Sequence, residues 1–359
     1  MNWNPVPDHA KADVIIVGGG ASGIAAATAL ASAGLSIKLL EARDRIGGRI
    51  FTLQDQKLRA PIELGAEFIH GRPPEILDLL KARHVQIREV DGDNWCVEEG
   101  RVSPCDFFSE VDQILQKMSD HKNGDESFTD FLKHYSSRLH DTPSLRQAKQ
   151  WATGYVSGFN AADPALISVK WLLQGMRAEE EIEGDRAFRA EHGYADLIEI
   201  FQKQLQDSGI SLQKNTVVES IQWRPGQVEI TAVGATGTAT FSVPRMLITV
   251  PLGVLQARTD DKGAISFAPE LPQQKQNAIR NIAMGKVIRV TLRFRERFWE
   301  DLPHFRETDF KSMDRMSFLF SHDDWFPTWW ATAPVKLPYC PAGRRFTAPR
   351  AFPGRASLL

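Results

Sequence analysis

Four glycines within the six residues Gly18 to Gly23, set between apolar runs, constrain this chain more than any other feature. The stretch Val14-Ile-Ile-Val-Gly-Gly-Gly-Ala-Ser-Gly23 places Gly18, Gly20 and Gly23 in a G-x-G-x-x-G turn. The run Asp13 to Val17 before it has the character of a parallel strand buried on both faces. Ser22 to Ala33 is rich in alanine and leucine and reads as a helix that Gly34 ends, and Ser36 to Leu40 reads as a second strand. The unit is βαβ. In such a unit one glycine permits the tight bend, one lets a diphosphate approach the backbone, and one lets the helix pack on the strand. The helix start, with Ala21 and Ser22, offers free N–H groups to phosphate oxygens. Glu41 ends the second strand 18 residues after Gly23, where a carboxylate can accept hydrogen bonds from both hydroxyls of a ribose and repel a 2′-phosphate.

Composition bounds what can be built around this unit. A chain of 359 residues exceeds one hydrophobic core, so two domains are expected, one of them discontinuous. With 43 basic against 45 acidic side chains the net charge is −2, too small a field to draw the chain to nucleic acid or to an anionic membrane surface. Val14 to Ile37 carries no charge and is long enough to span a bilayer, but the glycine cluster breaks it where a spanning helix is regular. Cys96, Cys105 and Cys340 are odd in number and lack the spacing of a zinc site or a redox pair. They read as free thiols in a reducing compartment. Met1 to Asp13 does not look like a secretory signal, and cytoplasmic residence is the expectation.

The continuation Glu41-Ala-Arg-Asp-Arg-Ile-Gly-Gly-Arg-Ile50 refines the ligand. Gly48 lets the chain pass close to a ligand, while Arg43 and Arg49, with Ala42 between the acid and the first guanidinium, bring donor forks within reach of a diphosphate. The pattern E-A-R-x-R-x-G-G-R resembles the signature of the flavin-dependent monoamine and polyamine oxidase family, shared more loosely with phytoene desaturases and protoporphyrinogen oxidases. Several later segments resemble the same family. In Glu63-Leu-Gly-Ala-Glu-Phe-Ile-His-Gly71 the resemblance implies that Gly65, Ala66 and Glu67 run beside a flavin and that His70 faces an amine. Val218 matches the valine whose backbone meets adenine, and Leu247-Ile-Thr-Val-Pro-Leu-Gly-Val-Leu255 matches a turn that ends a strand near the flavin. Lys286 matches the lysine that holds a water against flavin N5. Period two places it with Ile288, Val290, Leu292 and Phe294, and so toward a buried side, with Arg289 and Arg293 opposite.

The resemblance implies non-covalent FAD, a discontinuous Rossmann-like α/β domain, and a mixed α+β substrate domain. It further implies oxidation of an amine to an imine, with oxygen returning hydrogen peroxide. No G-P-M-R motif follows Arg49, so a polyamine or monoamine is expected rather than an amino acid. The expected FAD-binding parts are 1–75 and 190–262. The expected substrate parts are 76–189, mostly helical, and 263–336, mostly strands. Trp151, Tyr155, Phe159 and Trp171 recur at helical spacing and are assigned no role. From Leu337 the chain departs from the family: four arginines and four prolines, and no acid, occur up to Leu359. Such a composition is expected to form no core strand or helix and reads as a frameshifted or truncated end. The alternative to an active oxidase is therefore a silent relative that binds FAD poorly.

Overall fold

The structure is a computed structural model and describes residues 12–57, 60–98, 100–120, 124–136, 142–301, 312–323 and 326–346. It divides into two compact units. The first comprises the described residues up to Glu67, Pro74–Gln86 and Ala190–Met284. The second comprises Phe68–Pro73, Ile87–Arg189 and the described residues from Gly285 onward. Relative to the sequence expectation, the helix Pro74–Ala82 and residues 263–284 therefore lie in the unit that carries the glycine turn.

In the first unit the apolar runs become strands Val14–Val17 and Ile37–Leu40, all eight residues buried, joined by the helix Ala21–Ser32. They are the middle of a four-stranded parallel sheet flanked by Ser211–Gln213 and Arg245–Ile248. Alternation along the strands divides their side chains between two layers. Ile15, Val17 and Leu40 join Val218, Ile221 and Ile230 of a second sheet in one core cluster. That second sheet is the meander Val217–Arg224, Gln227–Gly234 and Gly237–Val243, turning at Pro225-Gly226 and Ala235-Thr236, with Ser266–Ala268 added parallel to its first strand. Ser211–Gln213 pairs with Ile37–Leu40, and beyond it the Glu41 and Arg43 carbonyls extend that edge by accepting from the N–H groups of Thr216 and Asn215. The Val14 to Ile37 run is thus strand, turn, helix and strand. Among the described residues no helix is long and apolar enough to cross a membrane.

The second unit is built on a six-stranded sheet in the order Lys286–Arg293, Tyr339–Phe346, Thr328–Trp330, Met316–Ser321, Asp93–Glu98 and Arg101–Pro104. Helices Phe107–Leu115, Pro143–Gly158 and Val169–Glu180 cover one face, where Phe107 stacks on Phe320 at 3.7 Å and Trp151 is buried. Trp95, Trp299, Met316 and Cys340 form a core on the other. Of the four aromatics singled out by helical spacing, Trp151, Tyr155 and Phe159 belong to the helical core, whereas Trp171 is 54% exposed. A smaller sheet, Ile69–His70, Ala187–Ala190 and Ile87–Glu89, completes the unit. The stretch expected to be mostly helical thus also contains the hairpin Asp93–Glu98 and Arg101–Pro104.

Two expectations are corrected. Cys96 and Cys105 are joined in a disulfide that ties the strand Asp93–Glu98 to the start of the helix at Phe107. Only Cys340 is a free thiol, and burial pushes its pKa up to about 12. The spacing concealed the bond because a hairpin brings the residues together: Cys96 lies on Asp93–Glu98, and Cys105 just follows its partner strand Arg101–Pro104. The arginine- and proline-rich end also forms a strand, Tyr339–Phe346, with Tyr339, Cys340 and Ala342 buried. It pairs along its length with Lys286–Arg293 and, on its other side, through Ala342 and Gly343 to Trp329 and Thr328. Pro341 falls outside that second ladder, so its missing N–H removes no bond there. Residues 347–359 of the expected tail lie outside the described residues.

Candidate functional site

The glycine turn is held from three directions. Gly18, at a left-handed φ of 111°, leaves its carbonyl to accept from the Thr249 hydroxyl at 2.9 Å. The same hydroxyl reaches the Val17 carbonyl at 3.1 Å, and the Thr249 N–H reaches it at 2.9 Å. A Cβ on Gly23 would lie 1.9 Å from the Gly18 oxygen, so the helix approaches the strand as only glycine allows. Gly20 and Gly48 face one another: a Cβ on Gly48 would lie 3.3 Å from the Gly20 Cα, and one on Gly20 would lie 3.9 Å from the Gly48 Cα. The two loops are in direct backbone contact, with the Gly47 N–H donating to the Gly19 carbonyl at 2.8 Å, at the start of the helix Ala21–Ser32. Gly20 caps that helix without a side chain, and its first turn carries no acid, so the N–H groups of Ala21, Ser22 and Gly23 lie at a helix end whose dipole favours an anion.

Glu41 is buried, and its carboxylate accepts from the Gly19 N–H at 2.7 Å and the Arg43 N–H at 2.8 Å. A carboxylate has about four acceptor positions, so two bonds to the backbone orient it and leave capacity for hydroxyl donors. Ala42 and Arg43 are exposed, as is Arg49. Val218 lies two residues beyond Thr216, whose N–H donates to the Glu41 carbonyl, and its side chain is buried in the core between the sheets. Gly65 passes the Arg49 carbonyl so closely that a Cβ would meet it at 1.9 Å, and the Ala66 N–H donates to that carbonyl at 3.2 Å. Glu67 is buried at the end of this segment. The first unit therefore gathers Gly18, Gly20, Ala21, Ser22, Gly23, Glu41, Ala42, Arg43, Gly48, Arg49, Gly65, Ala66, Glu67 and Val218. The glycine cradle, the uncapped helix end and the oriented carboxylate fit a dinucleotide diphosphate and ribose.

Two residues of this region were not singled out by sequence. Arg45 donates to the carbonyls of Ile50 and Gly48, each at 3.0 Å, and lies 4.2 Å from the Phe51 ring, locking the Gly47-Gly48 loop from behind. Burial, then the like charge of Arg43, holds its pKa below the ordinary arginine value. Thr249 is the clamp already described. Both stand in quoted motifs, and a polar side chain beside strained glycines was the available signal.

His70 lies in the second unit, in the strand Ile69–His70 paired with Ala187–Ala190. Ile69 and Phe188, opposite one another, are buried at 2% and 3%, so alternation turns His70 and Phe68 to the other face. There Phe68 touches His70, Phe318 and Trp330 at ring separations of 6.0, 5.9 and 6.2 Å. The His70 ring keeps an open surface yet stands among dense protein atoms, and this desolvation holds its pKa below the ordinary histidine value. Lys286 departs from expectation. It opens the edge strand Lys286–Arg293 and is exposed, as are Val287 and Leu292, because one side of this strand has no partner among the described residues. By alternation it lies on the face opposite to Arg289, whose guanidinium sits 5.1 Å from the Trp330 ring. No described contact brings Lys286 to His70.

Residues 21–340 match the family described as flavin containing amine oxidoreductase. Polyamine oxidase 3 of Oryza sativa subsp. japonica is 30% identical over 92% of the chain and 68% of its own length. Probable polyamine oxidase 4 of Arabidopsis thaliana is 29% identical over 82% of the chain. The chain spans only 60% of the latter's length. Wild-type putrescine oxidase bound to putrescine superposes with a TM-score of 0.70 at 20% identity, covering 94% of this chain and 76% of that one, which shows a shared fold. On the matched residues and the fold together, the chain belongs to the flavin-containing amine oxidoreductase family.

Proposed function

We propose that the chain is an FAD-dependent oxidase of an amine, polyamine or monoamine, and the observation that carries this is the glycine-lined, uncapped start of the helix Ala21–Ser32, where Gly20 and Gly48 meet, beside the oriented Glu41 carboxylate. The N–H groups at the start of the helix Ala21–Ser32 hold the diphosphate, and Arg43 and Arg49 add charge from the exposed side. Glu41 takes the ribose hydroxyls, the Val218 backbone meets the adenine, and Gly65 to Glu67 carry the chain along the remainder. FAD, when bound, supplies the acceptor for a hydride equivalent from the carbon beside the amine nitrogen and returns it to oxygen as hydrogen peroxide.

The protein's own part is to orient the amine and keep it neutral. His70 with a depressed pKa stays uncharged through neutral pH, so it can accept a hydrogen bond from an amine N–H and does not repel an ammonium approaching the site. Lys286 is assigned the water-holding position by its match to the family.

The test is spectroscopic. The purified chain is expected to be yellow, and its visible band is expected to bleach when spermine or benzylamine is added without oxygen and to recover in air. A Glu41→Gln variant is expected to lose FAD affinity by at least about tenfold, since a hydrogen bond to a charged group contributes about 1.5–3 kcal/mol. A colourless wild-type protein that takes up no added FAD would exclude the reading.

A further inference from the structure

Besides the ring contacts of Phe68, one arginine ties the face that carries His70 to the six-stranded sheet by hydrogen bonds. Arg189 follows Phe188 in the strand Ala187–Ala190 and, by alternation, shares the face of Phe68 and His70. Its guanidinium lies 4.6 Å from the Phe68 ring centroid. Its two terminal nitrogens reach across to the turn after Thr328–Trp330, one donating to the Ala331 carbonyl at 3.1 Å and the other to the Ala333 carbonyl. Ala331 is fully buried and follows Trp330 directly, so this fork fixes the strand bearing Trp330 against Phe68. All of these residues belong to the second unit.

We propose that Arg189 is a positioning residue for His70, holding the Phe68 and His70 face closed against Phe318 and Trp330. A planar fork with a stacking face is suited to this: the carbonyl bonds fix the turn while the flat face covers the Phe68 ring, and an ammonium group can do only the first. The role of His70 toward the amine rests on the function proposed above, whereas the closure itself does not.

Closure has a readout at His70, because its titration is governed by desolvation. Other charges around it are Arg289, which lies over Trp330 from the strand Lys286–Arg293, and, on the opposite face of the small sheet, Arg72 and Arg186 over Phe188 at 5.1 and 5.2 Å. Arg72 and Arg186 are in turn paired with Glu183, and Arg186 also with Glu89.

The experiment follows the ring signals of the nine histidines by NMR against pH, with His70→Gln identifying the signal of interest. It compares the wild-type chain with Arg189→Lys and Arg189→Met. Arg189→Lys keeps the charge and loses the fork, so it separates closure from simple electrostatics. The His70 titration is expected to move up toward the ordinary imidazole value in both variants as water enters. In Arg189→Met kcat for the amine is expected to fall on the order of 100-fold, as a displacement of ~1 Å at a reacting group does, with part recovered in Arg189→Lys. A His70 signal that titrates in Arg189→Lys as in the wild type overturns the proposal. Because the titration needs no turnover, it decides the role of Arg189 even if no amine is oxidised; a moved titration with no oxidation would sink the proposed function alone.

Discussion

The glycine turn of the first unit and the His70 face of the second are both close-packed, but they are specified by different means. At the turn, backbone meets backbone: Gly23 against the Gly18 carbonyl, Gly65 against the Arg49 carbonyl, Gly20 against Gly48. At the His70 face, side chains from strands far apart in sequence meet, with Phe68 touching Phe318 and Trp330, and Arg189 reaching Ala331. A backbone contact leaves a residue type that nothing else can replace. A side-chain contact can be made by many residue types, so its trace in the sequence is faint.

The largest expected effect breaks the first kind of contact. Gly23→Ala puts a Cβ 1.9 Å from the Gly18 oxygen, where neither partner is a flexible side chain. The strand and helix must separate, and the loss of stability is expected to exceed about 4 kcal/mol, the range reached only by disruption of this sort. Thermal melting of the variant, with FAD retention after gel filtration, checks it. A variant that melts like the wild type and keeps its colour would show that the turn relaxes as readily as a side-chain contact.

This asymmetry explains what was legible. The βαβ unit, the Glu41 carboxylate and the family signature could be read because each depends on neighbours close in sequence or on glycines with no substitute. The exposure of Lys286 could not, since alternation tells which residues share a face but not whether that face is covered, and Lys286–Arg293 is an edge strand. The strand Tyr339–Phe346 was hidden because composition argued against it, whereas its backbone ladder to Lys286–Arg293 needs little from its side chains. Arg45, Thr249 and Arg189 were passed over for a related reason: each acts on carbonyl groups, which every residue has.

A second, intermediate effect sharpens the comparison in the other unit. The Cys96–Cys105 bond closes a loop of nine residues between a strand and the helix it packs on. The chain-entropy relation gives about 2.5 kcal/mol for so short a loop. Under a reductant, or in Cys105→Ser, the unit that carries His70 is expected to melt lower by about 5–10 °C. The unit with the glycine turn, which has no disulfide among its described residues, is expected to be unmoved. Calorimetric scans with and without dithiothreitol check this, and equal shifts in both transitions would show that the two units do not melt separately.

The smallest effect isolates conformation from contact within the first unit itself. Gly34 ends the helix Ala21–Ser32 at a left-handed φ of 86°, and a Cβ there would meet nothing within 4 Å. Gly34→Ala therefore introduces the same methyl group as Gly23→Ala but faces only the backbone penalty of the left-handed region, about 1 kcal/mol. Gly23 lies inside the helix and Gly34 beyond its end, so Gly23→Ala alone also gains up to about 1 kcal/mol of helix propensity, which works against its damage. The excess destabilisation of Gly23→Ala over Gly34→Ala is then a lower bound on the contribution of the close approach of strand and helix. If Gly34→Ala proves as damaging as Gly23→Ala, the turn is governed by its allowed backbone angles rather than by the space between Gly18 and Gly23, and the distinction between the two regions reduces to one of conformation.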